Sequence, residues 1–154
     1  MSAQAVPASS NFSLRAVALV IDFAILAGMQ FVIFTVGAYW FIQEIQAFDL
    51  LTAFAVLNVL LACFLVGFIF LHLTYFIIFH AWFGQTIGKM IMGIKVIAEN
   101  DGGVSTAVAF LRWVGYILSA LPLAAGFLWS AVDKDHCSWH DRLAGTRVVA
   151  IEMT

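Results

Sequence analysis

Charge is what this chain has least of. Among its 154 residues are 7 Lys or Arg and 9 Asp or Glu, a charged share of 10% against roughly 25% in ordinary soluble domains. That is too little polar material to coat a surface facing water, while 64% of the residues are apolar. A soluble globule and a disordered chain are both excluded. The basic residues are scattered singly or in pairs at a net charge of −2, so no stripe tracks a phosphate backbone and nucleic acid is not an expected partner. Cysteine is equally sparse: Cys63 lies in an apolar run and Cys137 in a polar tail, and two such residues cannot frame a fold, so both are read as free thiols. Met1 to Ser13 holds no Lys or Arg and no small-residue cleavage pattern closes the first apolar run, which argues for a retained span and not a cleaved signal.

What the chain does have is length without charge. Phe23 to Ile42, Leu50 to Phe79 and Trp113 to Val132 are uncharged and apolar, and each reaches the ~20 residues a helix needs to cross a hydrocarbon core of about 30 Å. The expected class is an all-α, multi-pass integral protein of the cell membrane, with the lipid bilayer as its first partner. Asn11 or Ser13 can cap the first helix, and Tyr39, Trp40 and Phe41 form an aromatic belt at its far end. The first loop carries Glu44 and Asp49 but no Lys or Arg, whereas Arg15, Lys89 and Lys95 flank the opposite ends. The positive-inside rule therefore places the N-terminus and second loop in the cytoplasm, with the first two spans an antiparallel hairpin.

In the second loop Trp82, Phe83, Ile87, Met90, Ile91 and Ile94 recur at helical spacing, leaving Gln85, Thr86 and Lys89 elsewhere, which predicts an amphipathic helix in the interface plane. Gly84 and Gly88 on that helix would allow close approach of another backbone. Residues Gly93 to Glu99 and Thr146 to Glu152 alternate like strands, and Asn100-Asp-Gly-Gly reads as a turn. Pairing of the two strands requires both on the cytoplasmic side, because strands cannot pair through a bilayer. Three full crossings would forbid this. Pro122 and Gly126 at the centre of the third stretch offer a way out, breaking it into halves that enter and leave by one face; a kinked full span is the alternative.

Ionisable groups within apolar segments are costly and mark function by default. Asp22 and Arg112 need explaining. Arg15 and Asp22 share a helix face but lie about 10 Å apart along the axis, so either Arg15 stretches toward Asp22 or another cation, Arg112 being the natural one, serves it. The plainer alternative leaves Asp22 interfacial, with Arg15 and Arg112 reaching lipid headgroups. His72, Asn58 and Thr74 lie within the second span, and a lone neutral His there reads as a hydrogen-bond partner between helices and not as a proton carrier. Gly84 to Met90 fails the phosphate-loop pattern, lacking four residues between glycines and a Ser or Thr after Lys89. His136, Cys137 and His140 would share a helix face suited to zinc or copper. Their segment is expected to be a solvated loop, however, and no metal is expected. With no nucleophile and base pair and no complete metal site, no catalytic residue, cofactor or enzymatic activity is expected.

Taken in order, Arg15-Ala-x-Ala-x-x-Ile-Asp22, Thr86-Ile-Gly88-Lys89-Met-Ile-Met-Gly93-Ile-Lys-Val, Asp101-Gly102, Arg112 and His140-Asp141-Arg-Leu-Ala-Gly-Thr-Arg-Val-Val resemble the RDD family of small membrane proteins. The likeness covers residues 13–151 as a single domain, leaving residues 1–12 as a polar tail. It implies that the arginine and two aspartates that name the family correspond to Arg15, Asp22 and Asp141, with Arg112 in the same charge network and Gly88, Lys89, Gly93 and His140 in supporting motifs. Many relatives carry further charges between Arg112 and Pro122, where this chain has Tyr116 and Ser119. The resemblance also implies a transport role with the substrate undefined; an intramembrane Asp22 suggests a cation, proton or small solute, and because two and a half to three spans cannot enclose a pathway, a homo-oligomer or another membrane protein is the expected partner. The alternative is a non-catalytic accessory or scaffold protein of a larger complex.

Overall fold

A computed structural model describes residues 9–45, 48–99 and 103–151. In chain order the elements are α1 (Phe12–Glu44), α2 (Leu50–Phe83), α3 (Ile87–Ile91), β1 (Ile94–Ala98), α4 (Thr106–Ala120), α5 (Ala125–Val132), α6 (Trp139–Ala144) and β2 (Thr146–Ala150). The turn expected at Asn100-Asp-Gly-Gly falls largely at 100–102, and the polar tail largely at 1–8, outside the described residues.

Two helices are long and apolar enough to cross a membrane. At 1.5 Å per residue, the 33 residues of α1 and 34 of α2 each give about 50 Å, well beyond a ~30 Å hydrocarbon core. Their apolar side chains point outward, Leu51 being 83% and Phe31 69% exposed, as suits helices whose solvent is lipid.

Contacts group the chain into two units. One is the helix pair of Phe23–Thr74. Phe23 meets His72 and Phe34 meets Phe64 across it, so its helices run antiparallel, as the hairpin reading requires. The polar residues within it turn back on their own helices: Asn58 Nδ2 donates to the Phe54 carbonyl at 2.8 Å, and His72 Nδ1 lies 2.8 Å from the Phe68 carbonyl. The expectation that His72 bonds between helices is corrected, because a carbonyl one turn back is always within reach.

The other unit comprises Met1–Asp22 and Tyr75–Thr154. Here β1 and β2 pair antiparallel, from Ile94 opposite Ala150 to Ala98 opposite Thr146. Ile94 and Val96 point into a core with Ala18, Val104, Ala109 and Val148, while Lys95 points out, which is the alternation read from the sequence. The tail contributes more than expected: Ser9 bridges Val149, and the Ser10 N–H donates to the Val148 carbonyl at 3.0 Å, covering part of the β2 edge.

The interfacial helix is shorter than its apolar spacing implied. Trp82 and Phe83 close α2, Gly84 reverses the chain at φ 69°, and Thr86 caps the five-residue α3. Thr86 and Lys89 are buried while Trp82, Phe83, Met90 and Ile91 are exposed, so the polar side faces the protein. Both glycines make the expected close approach: a Cβ at Gly88 would overlap the Ala18 carbonyl of α1, and one at Gly84, just before α3, would stand 3.0 Å from the Val96 carbonyl oxygen of β1.

The third apolar stretch is broken, with α4 and α5 bent by 96°. Pro122 cannot continue a helix, and Leu123 and Ala124 follow in the left-handed region at φ 52° and 62°. Gly126 is not part of the break; it lets α5 fold back against Ser119 of α4, whose Cα would lie 2.6 Å from an added Cβ. Residues 139–144, expected in a solvated loop, instead form α6, with His140 and Asp141 buried.

Candidate functional site

Asp141 is the centre of the site. Ser138 caps α6, and the Asp141 carboxylate reaches back to accept from the Ser138 N–H at 3.1 Å and its hydroxyl at 2.6 Å, one half of a capping box. The same carboxylate accepts from Arg15 Nη1 at 2.8 Å on one oxygen and from Arg112 Nη1 at 2.6 Å on the other. Asp141 and Arg112 are both fully buried. Arg112 also donates to the Thr146 hydroxyl at the start of β2, and Arg15 to Ser10 Oγ at 2.9 Å and the Val148 carbonyl at 3.2 Å. The triad thus joins the first turn of α1, the middle of α4, α6 and the sheet.

Close packing makes this possible. A Cβ at Gly115 would stand 2.7 Å from that of His140, so α6 can sit on α4 only where the side chain is a hydrogen. Burial pushes the Asp141 carboxyl up, but Arg112, Arg15 and Ser138 outweigh it and hold it well below the ordinary carboxylate range. His140 is pushed down to about 3, first by burial and then by Arg112, Lys89 and Arg15 against the opposing Asp141. It is neutral at pH 7, with Nε2 2.7 Å from Ser138 Oγ.

Asp22 lies elsewhere. It too is fully buried, but its partners are neutral: the Tyr75 hydroxyl at 2.7 Å, the Thr86 hydroxyl at 2.5 Å and the Gly88 N–H at 2.7 Å. The cation expected for it, whether Arg15 or Arg112, pairs with Asp141 instead, each guanidinium taking one of its two carboxylate oxygens. Among the described residues no salt bridge reaches Asp22.

The structure thus brings Arg15, Arg112, Asp141 and His140 together, and separately Asp22 and Gly88. Residues 10–145 match the RDD family. The chain belongs to the RDD family. Two Bacillus subtilis (strain 168) relatives are similar to parts of it. Uncharacterized protein YckC is 38% identical over 72 residues, 44% of this chain and 48% of that protein. Uncharacterized protein YxaI is 38% identical over 64 residues, 42% of each. The matched region thus spans about half the length of these curated relatives, and no solved structure matches. Of the three charges singled out in the sequence, this RDD-family chain places Arg15 and Asp141 in one ion pair and Asp22 among the Tyr75 and Thr86 hydroxyls and the Gly88 N–H.

Of the supporting residues, Lys89 is buried at the edge of the triad and Gly93 turns the chain into β1 at φ 64°, its carbonyl accepting from the Ile151 N–H at 2.8 Å. His136 has φ 53° and precedes α6, so it does not share a helix face with Cys137 and His140, and the described residues form no cluster suited to a metal. Sequence reasoning missed Tyr75, Ser138, Thr146 and Ser10 as partners of the buried charges. A Tyr in an apolar run and a Ser three residues before Asp141 were the available signals.

Proposed function

We propose that this RDD-family membrane protein is a transport component in which Asp22 exchanges a proton or cation and the Arg15, Asp141 and Arg112 triad is a fixed frame. The observation that carries this reading is the hydroxyl cage: a fully buried carboxylate within a membrane-crossing helix whose hydrogen bonds come from Tyr75, Thr86 and Gly88 and not from a cation. Such a group changes charge without breaking an ion pair. Because β1 and β2 share a sheet, the α4 and α5 pair between them begins and ends on one side of the bilayer, so it is re-entrant in this reading. Its longer helix, about 22 Å for 15 residues, is also short of a ~30 Å core. The charge pattern supports a cytoplasmic position for that side and for the N-terminus in this reading. Two spans cannot enclose a pathway, so the working form is a homo-oligomer or a complex with another membrane protein.

Proteoliposomes loaded with a pH-sensitive dye test this. Cation-driven proton flux in the wild type and its loss in Asp22→Asn are expected. Flux that survives the substitution removes Asp22 from the mechanism. The second reading, an accessory or scaffold protein, draws on the triad, whose ionic contacts tie residues 15, 112 and 141 together. On that reading the wild type carries no flux, and Asp22→Asn lowers only abundance.

A further inference from the structure

The triad leaves positive charge uncompensated around one cavity. This cavity of about 200 Å³ is lined by Arg15, Lys89 and Arg112, by Ser130, and on its apolar side by Leu19 and Phe127. It exceeds the ~10–15 Å³ that holds one water and is smaller than the ~300 Å³ of a drug-sized site. Three cations line it, and Asp141 is the carboxylate that answers two of them. Lys89 is 5% exposed and makes no salt bridge among the described residues. Arg112, fully buried, spends Nη1 on Asp141 and Thr146, while its Nε and Nη2 are buried without a hydrogen-bond partner. Buried donors left unmet are uncommon, and on a guanidinium they call for an acceptor carrying negative charge.

We propose that this cavity binds a single phosphate group, as the headgroup of an anionic phospholipid or as free phosphate. A phosphate offers several acceptor oxygens in the space where Arg112 and Lys89 have donors to spare, and it balances the excess charge. The walls are also graded along α1: Arg15 stands in the first turn, and Leu19 and Val20 follow one turn further toward the apolar stretch. That is the arrangement a lipid needs, with a charged head at one end and acyl chains beginning at the other. His140, which also lines the cavity, is pushed down first by burial and then by Arg112, Lys89 and Arg15, so it adds no charge that would answer these cations. The inference stands independently of any exchange at Asp22.

The test uses the full chain, purified in neutral detergent and depleted of lipid, with melting followed as ligand is added. Phosphatidylglycerol should stabilise at about fivefold lower concentration than phosphatidylcholine; Lys89→Gln should abolish that preference and Lys89→Arg restore it. Sodium phosphate at constant ionic strength separates the sources: stabilisation beyond that of chloride, lost in Lys89→Gln, assigns free phosphate, and none assigns the lipid. Native mass spectrometry of the wild type provides a readout that needs no variant, with phosphatidylglycerol expected to stay bound where phosphatidylcholine leaves. Equal behaviour of the two lipids together with no effect of phosphate overturns the proposal. So does a Lys89→Gln protein that responds as the wild type does.

Discussion

Replacing Asp141 by Asn probes the centre of the site most directly. The carboxylate accepts from Arg15, Arg112 and twice from Ser138, and both Asp141 and Arg112 are fully buried. Asn keeps one acceptor oxygen and turns the other position into a donor facing donors. Arg112 then has no carboxylate within salt-bridge distance among the described residues. Breaking a buried pair from one side costs about 3–5 kcal/mol, because the surviving charge stays buried without its counter-ion. For a chain of this size that corresponds to a fall in melting temperature of roughly 6–20 °C. The pair between Arg142 and Asp133 is the comparison: the Arg142 side chain is 55% exposed, so its replacement by Gln removes a partly solvated ion pair and should cost at most about 1 kcal/mol. Thermal unfolding of the purified protein in detergent measures both variants. Adding Arg112→Gln to Asp141→Asn should cost less than the two single losses combined, because it removes the stranded guanidinium. A melting temperature for Asp141→Asn within about 2 °C of the wild type, or strict additivity in the cycle, would refute the view that these groups form one interdependent unit.

Gly88→Ala should destabilise by about 1–3 kcal/mol, since its Cβ would overlap the Ala18 carbonyl and stand 2.9 Å from Asp22 Oδ1, while Gly37→Ala, with nothing within 4 Å, should be neutral or stabilising; unfolding of the two variants decides. Stability should fall with acid. Because His140 is pushed down from 6.5 to about 3, the unfolded chain binds more protons in that window, so the contribution is complete above pH 6.5 and is lost as pH falls toward 3. The limiting slope is about 1.4 kcal/mol per pH unit, the lowered Asp141 carboxyl adds in the same sense below about pH 4, and His140→Gln should flatten the upper part of a melting curve against pH. In a Cys63→Ser background an impermeant maleimide should reach Cys137 only from the cytoplasmic face, and faster at pH 9 than at pH 7 because burial pushes its thiol up. Labelling from the other face would remove the re-entrant reading.

The fold was legible wherever one stretch of chain carries its own signal. The two long uncharged runs without proline are helices that carry their own signal, Pro122 interrupts the third run, and the alternation from Ile94 to Ala98 has one buried side to offer. The pairing of charges carries no such local signal. Arg15 and Asp141 are 126 positions apart, and nothing near either names the other. Opposite charge alone points from Arg15 or Arg112 to Asp22, the carboxylate nearest in sequence or in membrane depth. Hydroxyls and a backbone N–H answer Asp22 instead, and both guanidiniums go to Asp141.

That division gives the two buried carboxylates different capacities. Protonating Asp141 strands two guanidiniums and undoes the contacts that join α1, α4, α6 and the sheet, so its charge is tied to the fold. Protonating Asp22 strands no cation. Tyr75 and Thr86 are hydroxyls, able to accept a hydrogen bond as readily as donate one, and can reverse roles as the carboxyl gains or loses its proton. Removing the Thr86 hydroxyl with Thr86→Val should therefore raise the cost of the charged form by about 1–3 kcal/mol, while Thr86→Ser should preserve it. If Asp22 is the exchanging group, proton flux should fall in Thr86→Val and return in Thr86→Ser. A Thr86→Val protein that is less stable but carries the wild-type flux per folded molecule would place Asp22 with Asp141, as a structural charge.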